Sequence, residues 1–384
     1  MKEFFAQQKK MISNYLDEFL EAKKTDLNRV HPMGGESAER LRDFASKGKM
    51  LRGGLVALAY FLTNREAAGN ESVEAAEDAG TETGGTVGAG TAGAVAAVPP
   101  RMVSAAGGVM ELFQSAFLVH DDIMDRDEKR RGSQSVYSQY VSIAENQQFR
   151  DAYHTGEALG ICVGDIAFFL AFEILSDIAA STGNTGLHGL CSRELSYVGV
   201  AQMLDVYWSQ DTSAVSEKEV FDLYRYKTGR YTFSLPLLCG GHLAGASQKQ
   251  LEDLERIGEL LGIVFQLKDD ELGLFGDETQ LGKPIGSDIT EGKKTLFYVA
   301  LIERAEAEER ARLEKLFGRS EVSTEEVEYV RSVVERHGIR DWVLDICRRY
   351  AEEARELIEA MEEVSVQHRQ ILIDLLDYSL ERTS

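Results

Sequence analysis

Apolar residues recur at helical spacing along most of this chain. In the first such stretch Met11, Tyr15 and Phe19 fall on one face of a helix, and charged residues occupy the other face. Only five prolines occur among 384 residues, so long helices need not be broken. The pattern predicts an all-helical protein that is large enough for one extensive hydrophobic core or for two domains.

Charge and cysteine usage narrow the functional class. A net charge of −22 argues against a nucleic-acid-binding surface. Cys162, Cys191, Cys239 and Cys347 form no CxxC pair, so we expect reduced, buried cysteines in a cytoplasmic protein. The N-terminus has no cleavable signal pattern. No segment reaches about 18 uncharged apolar residues, so we expect no membrane span.

Residues 66–98 depart from the helical pattern. This segment is rich in Ala, Gly, Thr and Glu, lacks aromatic residues, and ends at Pro99-Pro100. Such a composition cannot bury enough apolar surface to order itself. We therefore predict a disordered surface loop between two core helices.

Aspartates close the apolar helical stretch that follows the loop. Asp121 and Asp125 are one helical turn apart and point the same way, which destabilises a helix unless a cation lies between them. Oxygen ligands suit Mg²⁺, which binds through one or two carboxylates plus substrate phosphates. Arg130 and Arg131 follow, and guanidinium groups hold phosphate oxygens well. Taken alone, such a motif is more often a solvated acidic helix end.

A second acidic motif changes that interpretation. The stretch from Phe265 to Asp277 is again an apolar helical pattern that leads into two adjacent aspartates, Asp269 and Asp270. Two acidic helices, each near residues suited to bind phosphate, predict two walls of one cavity with metal ions between them.

Three lysine-containing segments can each be interpreted either as part of a functional site or as an ordinary structural feature. Lys49 and Arg52 are three apart at a predicted helix start, where backbone N–H groups favour an anion. The Thr-Gly pair after Lys227, within a helical pattern, allows two arrangements. Either a kink directs Lys227 inward, or Lys227 is an exposed lysine at a helix defect. The turn-rich segment 282–294 either folds its lysines over phosphate or forms a polar surface turn.

With these motifs assembled, the chain resembles the trans-polyprenyl diphosphate synthases, which include farnesyl and geranylgeranyl diphosphate synthases. The resemblance covers nearly everything except residues 66–98. It rests on motifs that occur in the family's order: GKMLR (48–52), Gln114, HDDIMD with RRG (120–132), QMLD (202–205), KTG (227–229), FQLKDD (265–270) and GKPIGSDITEGKK (282–294).

The resemblance implies one domain over residues 1–384, a bundle of long helices around a central cavity, usually paired as a homodimer. About three Mg²⁺ ions would bridge the protein to an allylic diphosphate. The implied metal ligands are Asp121, Asp125 and Asp269. The implied contacts of the allylic diphosphate are Arg130, Lys227 and Lys283, and those of isopentenyl diphosphate are Lys49, Arg52, Gln114 and Arg131. Thr228 and Gln266 would stabilise a carbocation, and the loop from Lys283 to Lys293 would close over it.

The implied function is that of a Mg²⁺-dependent prenyltransferase, which condenses isopentenyl diphosphate head to tail with allylic diphosphates. The small Ala116, five residues before Asp121, lets the growing tail continue by roughly 5.4 Å, while Phe117 limits further growth. We therefore predict geranylgeranyl diphosphate, with farnesyl diphosphate as the alternative. A head-to-head or cyclising terpene synthase and a catalytically silent regulatory subunit also remain open. Gly273 stands where many family members have a third aspartate.

Overall fold

Helices form nearly all the regular structure of this protein. The computed structural model describes residues 1–64, 98–211, 213–276, 286–319 and 321–382. Within these ranges the β structure is one antiparallel pair of two-residue strands, β1 (Lys129–Arg130) and β2 (Ser133–Gln134). The all-helical prediction is confirmed. The loop predicted at 66–98 lies, apart from its last residue, outside the described residues.

The first half of the chain leads to and away from the first acidic motif. Helix α4 (Pro100–Met124) carries this motif at its C-terminal end, and the β1–β2 hairpin connects it to α5 (Val136–Asn146). In chain order the helices are α1 (Lys2–Asn28), α2 (Pro32–Ser46), α3 (Leu51–Thr63), α4 (Pro100–Met124), α5 (Val136–Asn146), α6 (Ala152–Thr182) and α7 (Gly186–Gln210).

The second half contains the helical defect and the second acidic motif. Helix α8 (Glu217–Leu223) continues without a break into a π-helix (Tyr224–Ser234) and then into α9 (Leu235–Ala244). Helix α10 (Gln248–Phe275) carries the second motif. The remaining helices are α11 (Ser287–Thr290), α12 (Leu296–Arg304), α13 (Ala307–Leu316), α14 (Thr324–Arg336), α15 (Ile339–Ala360) and α16 (Val366–Glu381).

Polar caps and prolines set where several helices begin. The hydroxyls of Ser216 and Ser247 accept hydrogen bonds from the backbone N–H groups of Glu219 and Gln250, three residues later. The side chains of Glu219 and Gln250 in turn accept from the backbone N–H groups of the two serines. Each capping box satisfies two helix-end donors that would otherwise lack partners. Pro32, Pro100 and Pro236 occupy first turns, where a missing N–H costs no helical hydrogen bond.

Helix α4 occupies the centre of the bundle and packs along α6 and against α3. Helices α3 and α9 approach so closely that a Cβ at Gly240 would lie 2.1 Å from the Val56 carbonyl oxygen. One hydrophobic cluster of buried residues runs from α1 to α16. This continuous core supports the single domain predicted over 1–384, which stays a prediction.

Among the residues that the structure describes, two helices are long and apolar enough to cross a membrane by length and composition alone. In α4, 78% of the apolar window is buried inside the protein, whereas in α6 the buried share is 44%. Helix α4 is therefore a core helix, and α6 exposes apolar side chains. We call the following exposed residues of α6 and α7 the apolar face: Ile161, Phe169, Tyr197, Val200, Met203, Val206 and Tyr207.

The four cysteines are free, and three of them are buried as expected. Cys162 is exposed, which corrects the expectation for this residue. It follows Ile161 on the outward side of α6, where helical periodicity turns it away from the core.

Candidate active site

The first acidic motif ends α4, and its aspartates have different surroundings. Asp122 is fully buried, Asp121 is half-buried and Asp125 is exposed. The Asp125 N–H donates to the Asp121 carbonyl oxygen at 2.8 Å, so the two residues lie one turn apart. Desolvation in the crowded surroundings of this helix end, together with the charge of Asp121, raises the pKa of Asp125 to about 6.

Arg130 is already engaged by the first motif. From β1 it donates from Nε to Asp122 Oδ1 at 2.6 Å and from Nη2 to Asp127 Oδ2 at 2.9 Å. Burial raises the pKa of Asp122 to about 7 although Arg130 opposes the shift. The Nη2 nitrogen also lies 3.8 Å from Asp121, so Arg130 stands beside the predicted metal ligands.

Helix α7 links the first motif to the π-helix. Gln202 Nε2 donates to Asp121 Oδ1 at 3.0 Å. Three residues later, Asp205 accepts a hydrogen bond from the Lys227 ammonium. The QMLD motif therefore connects two of the predicted site elements.

The two aspartates of the second acidic motif face different environments. The Asp269 side chain is 54% exposed, and its Oδ1 accepts from Arg382 Nη2 at 2.8 Å. Asp270 is buried and accepts hydrogen bonds from Gln266 Nε2 at 2.8 Å and from the Tyr224 hydroxyl. Asp269 is thus the accessible carboxylate of the pair, and its role as a metal ligand stays a prediction.

The defect predicted at Lys227-Thr228-Gly229 is a π-helix, in which each N–H bonds to the fifth residue back and the turn is widened. Thr228 Oγ1 donates to Gln266 Oε1 at 2.8 Å, which fastens the widened turn to α10. The predicted helix defect is therefore a widened turn, and the helix continues through it without a break. Lys227, Thr228 and Gln266 line the same cavity.

This cavity has a volume of about 360 Å³. Gly273 leaves space at one side of it, because a Cβ there would lie 3.1 Å from an Asp288 carboxylate oxygen. A carboxylate from another segment therefore approaches the position where a third aspartate of the motif is missing. The lining residues are Asp205, Leu223, Tyr224, Lys227, Thr228, Gln266, Asp269, Asp270, Gly273, Ser287, Asp288, Lys293, Lys294 and Thr295.

Lys293 belongs to the cavity, whereas Lys283 lies outside the described residues. Burial disfavours the charge of Lys293, but Asp288 and Glu291 outweigh this cost and raise its pKa. The Lys293 charge also acts on the carboxyl of Asp125 and opposes the rise of its pKa. The first acidic motif and the far side of the cavity are therefore within electrostatic range of one another.

A second group of cations lies at the start of α3. Met50 adopts a left-handed φ of +52°, which turns the chain sharply between Lys49 and the helix. Arg52 Nη2 donates to Thr232 Oγ1 at 2.7 Å, and its guanidinium lies 4.9 Å from the Tyr231 ring centroid. The Tyr231 hydroxyl donates to Gln114 Oε1 at 3.0 Å.

Arg131 joins this second group from the β1–β2 hairpin. Its Nη1 donates to the Phe44 carbonyl oxygen at 2.9 Å and would lie 3.1 Å from a Cβ at Gly48. Burial and the nearby Arg52 charge lower the pKa of Arg131. Lys49 is exposed and makes no hydrogen bond or ion pair with the residues that the structure describes. The predicted contacts of isopentenyl diphosphate thus lie together.

Aromatic rings pack around Phe117, next to Ala116 in the chain. Ala116 is fully buried, and the half-buried Phe117 packs edge-on against Phe168 at 5.0 Å and Tyr231 at 5.1 Å between ring centroids. Phe168 also meets Phe113 at 6.1 Å. Phe168 comes from α6, so a residue of a neighbouring helix contributes to the region predicted to limit product length.

The donor set fits Mg²⁺. Asp121, Asp125 and Asp269 offer only carboxylate oxygens, the ligands that hard ions prefer. In the described ranges no three His, Cys, Asp or Glu side chains converge closely enough to hold an ion. The protein alone therefore does not complete a coordination shell, and a bound ion would take further ligands from water and substrate phosphate.

Sequence reasoning missed several contributors to this site. Tyr231 and Thr232 follow the KTG motif closely, which is the one signal that pointed to them. Tyr224 and Arg382 have no such signal, because their positions depend on contacts with Asp270 and Asp269, far away in sequence.

Comparison with known proteins agrees with this geometry. Residues 38–334 match the polyprenyl synthetase family. The chain is 30% identical to the geranylgeranyl diphosphate synthase of Saccharolobus solfataricus, over 69% of this chain and 74% of that protein. It is also 30% identical to the short chain isoprenyl diphosphate synthase of Methanothermobacter thermautotrophicus, over 74% and 81% of the respective chains.

A solved structure has the same fold. The geranylgeranyl pyrophosphate synthase from Corynebacterium glutamicum, complexed with isoprenyl diphosphate and magnesium, superposes with a TM-score of 0.82 at 24% identity. The alignment covers 98% of this chain and 99% of that one. This protein is therefore a member of the polyprenyl synthetase family, a prenyltransferase with the all-helical fold of the isoprenoid synthases.

Proposed function

We propose that this enzyme depends on Mg²⁺ and condenses isopentenyl diphosphate head to tail with an allylic diphosphate. The observation that carries the proposal is the separation of its cations into two groups. Lys49, Arg52 and Arg131 lie at the start of α3, whereas Lys227 and Lys293 line the cavity. Two diphosphate substrates need two such groups, whereas a cyclising synthase with one diphosphate needs only one.

The cavity is suited to hold a departing diphosphate. When the allylic C–O bond breaks, negative charge develops on the leaving oxygens, and the Lys227 and Lys293 ammonium groups in the cavity would stabilise it. Arg130, beside the predicted metal ligands, would add to this stabilisation. Mg²⁺ bound by Asp121, Asp125 and Asp269 would supply further electrostatic stabilisation of these oxygens.

The widened turn and α10 face the carbon that becomes positive. Because Gln266 Nε2 donates to Asp270, its Oε1 is directed toward Thr228 and the cavity. These oxygens stabilise the allylic cation. The terminal double-bond carbon of isopentenyl diphosphate then forms the new C–C bond. Loss of a proton to the released diphosphate restores a double bond and completes one extension.

The proposed product is geranylgeranyl diphosphate, with twenty carbons. Relatives named for this product support the proposal, as does the small side chain of Ala116. Ala116→Phe should shorten the product to fifteen carbons, because a ring would occupy the space beside Phe117. Chromatographic separation of the products tests this, and a wild-type product of fifteen carbons would refute the proposed length.

We also propose that two copies pair through the apolar face. Met203 is 73% exposed, Phe169 71% and Val200 65%, and exposed apolar side chains grouped in this way mark an interaction surface. Acidic residues interrupt this surface on α6, among them Asp165 at 52% side-chain exposure, which disfavours insertion in lipid. A homodimer in the cytoplasm is therefore the state that we propose.

One assay tests the reaction and its alternatives. Purified protein is incubated with Mg²⁺, labelled isopentenyl diphosphate and farnesyl diphosphate, and the extracted lipids are separated. We expect label in a twenty-carbon product. Consumption of the allylic diphosphate without isopentenyl diphosphate would indicate a cyclising synthase. Binding of both substrates without turnover would indicate a regulatory subunit.

A further inference from the structure

A buried cluster of charged residues lies directly behind the π-helix. Arg230 donates from Nε and Nη2 to the two carboxylate oxygens of Glu194 on α7, both at 2.8 Å. It also donates to Glu255 and Glu259 of α10, each at 2.7 Å. The side chains of Arg230, Glu194 and Glu259 are 11%, 1% and 4% exposed. None of these four residues lines the cavity.

Two arginines of the π-helix converge on one acceptor. Arg225 Nε and Arg230 Nη1 both donate to Glu259 Oε1, at 2.8 Å and 2.7 Å. In an α-helix, residues five apart point about 140° away from each other. A π-helix has about 4.4 residues per turn, so the same two side chains are only about 50° apart and emerge on the same side. The shared oxygen therefore selects the π register over the α register.

Tight backbone packing adds a second constraint on this register. A Cβ at Gly262 would lie 2.1 Å from the Gly229 Cα atom, and a Cβ at Gly258 would lie 2.5 Å from Ser234. Helix α10 therefore fits against one arrangement of the π-helix backbone. A slip of one residue would place other side chains against these glycines.

The energetic properties of the cluster favour such a role. A π-helix is rare and intrinsically less favourable than an α-helix, so its surroundings must hold it in place. Buried ion pairs contribute little net stability, because desolvation offsets their attraction, but in some proteins they specify register. Arg230 is also suited to the role because its planar fork bonds to two helices at once.

We propose that Arg230 is a positioning residue, which together with Glu194 and Glu259 fixes the register of the π-helix and thereby the direction of Lys227 and Thr228. The inference rests on the roles proposed above for these two cavity residues. A shift of the turn by one residue would move Lys227 away from Asp205 and Thr228 away from Gln266. Misplacement by about 1 Å is enough to reduce turnover by about 10²-fold.

The experiment uses a variant that removes the Arg230 guanidinium without leaving buried charges unpaired. In Arg230→Met with Glu194→Gln, Glu259 keeps its bond to Arg225, and the Glu255 side chain is 39% exposed. The matched control is Arg256→Met, because Arg256 approaches the same Glu259 at 3.7 Å from α10 itself. Arg230→Lys keeps a charge but loses the fork.

We expect the double variant to stay folded while kcat falls by about tenfold or more. KM for isopentenyl diphosphate should rise as well, because Arg52 and Gln114 contact Thr232 and Tyr231 of the π-helix. Amide hydrogen exchange should accelerate over residues 224–234 and remain unchanged elsewhere. Arg230→Lys should recover part of kcat, and Arg256→Met should behave as the wild type.

A folded double variant with wild-type kcat and exchange would overturn the proposal. If the double variant does not fold, Arg230→Lys decides, because wild-type turnover with a lysine would show that the fork is unnecessary. Failure of the proposed function is distinguishable, since the wild-type enzyme would then consume no isopentenyl diphosphate. The exchange measurement tests the register without requiring turnover.

Discussion

At the scale of single residues, burial separates neighbours that look equivalent in the sequence. Asp121 and Asp122 are adjacent, yet the first is reached by Gln202 and the second is enclosed with Arg130. Asp269 is exposed at its side chain, whereas Asp270 lies behind it. Within each pair, one carboxylate is accessible to an ion and the other orients protein groups.

Asp121→Ala should reduce kcat by at least about 10²-fold, because it removes a metal ligand that acts on the charge of the transition state. The fold should persist, since Asp121 is only half-buried and its loss relieves carboxylate repulsion. Steady-state kinetics and a thermal melt measure the two effects. Asp345→Ala, on the solvent side of α15, is the control. Undiminished turnover in the Asp121 variant would exclude the proposed metal site.

Mg²⁺ binding should weaken as pH falls through about 6, the raised pKa of Asp125. Above this pH the carboxyl is ionised and available, whereas below it a proton competes with the ion, by about tenfold per pH unit. Calorimetric titration with Mg²⁺ and a diphosphate at several pH values measures the effect. Asp125→Asn should bind more weakly and depend less on pH, because only protonation of the other groups, the diphosphate among them, then remains. The same pH dependence in both proteins would contradict the assignment.

Phe168→Ala should lengthen the product by about one prenyl unit, because it removes a ring that packs on both Phe117 and Phe113. Phe149 precedes α6, is 50% exposed and belongs neither to this aromatic group nor to the apolar face, so Phe149→Ala is the control. Product chromatography distinguishes the two variants. Identical products from both would show that α6 does not limit chain length.

At the scale of elements, close helix contacts set the positions of the site residues. Helices α3 and α9 approach through Gly240, and α3 begins with the residues proposed to bind isopentenyl diphosphate. The π-helix precedes α9 without a break, so the contact also fixes the distance between the two cation groups. Glycine at such a contact permits a backbone approach that no other residue allows.

Gly240→Ala should destabilise the protein by about 1–3 kcal/mol, because its Cβ would clash with the Val56 carbonyl oxygen. A Cβ at Gly189, in α7, would have no atom of the described residues within 4 Å, so Gly189→Ala should stabilise the protein by about 0.5–1 kcal/mol. Denaturant unfolding measures both free energies. Equal stability of the two variants would show that the added Cβ at the contact between α3 and α9 does not lower the free energy of unfolding.

At the scale of the whole molecule, the apolar face is the surface feature that the interior does not explain. Val200→Lys with Tyr207→Lys should shift the protein toward monomers, because two buried charges would oppose each other across a symmetric interface. Sedimentation velocity measures the change. Val366→Lys is the control, since Val366 is 76% exposed on α16, away from this face. A wild-type monomer would exclude the proposed pairing.

Deletion of residues 66–98 is the second test at this scale. Its composition cannot form a core, so turnover should remain nearly unchanged. A short Gly-Ser connection of α3 to α4 replaces the segment, and kcat is compared with that of the full chain. A large loss of turnover would show that the segment takes part in catalysis or assembly.

The sequence by itself determined the helices, the two acidic motifs and the helix defect at KTG. Each of these follows from local rules, since side-chain periodicity, caps and unusual residues act within a few turns. The order of the motifs also identified the family, and the family match over residues 38–334 agrees. The expectation that failed for Cys162 concerned burial, which helical spacing determines only when the core-facing side is known.

Only the tertiary structure decided which residues meet. The contacts of Arg382 with Asp269, Phe168 with Phe117 and Arg230 with Glu194 join residues from 36 to 113 positions apart. No local pattern encodes such pairs, because helix packing depends on the shapes of both surfaces and on which helices become neighbours. The direction of each site residue therefore follows from how the helices pack together.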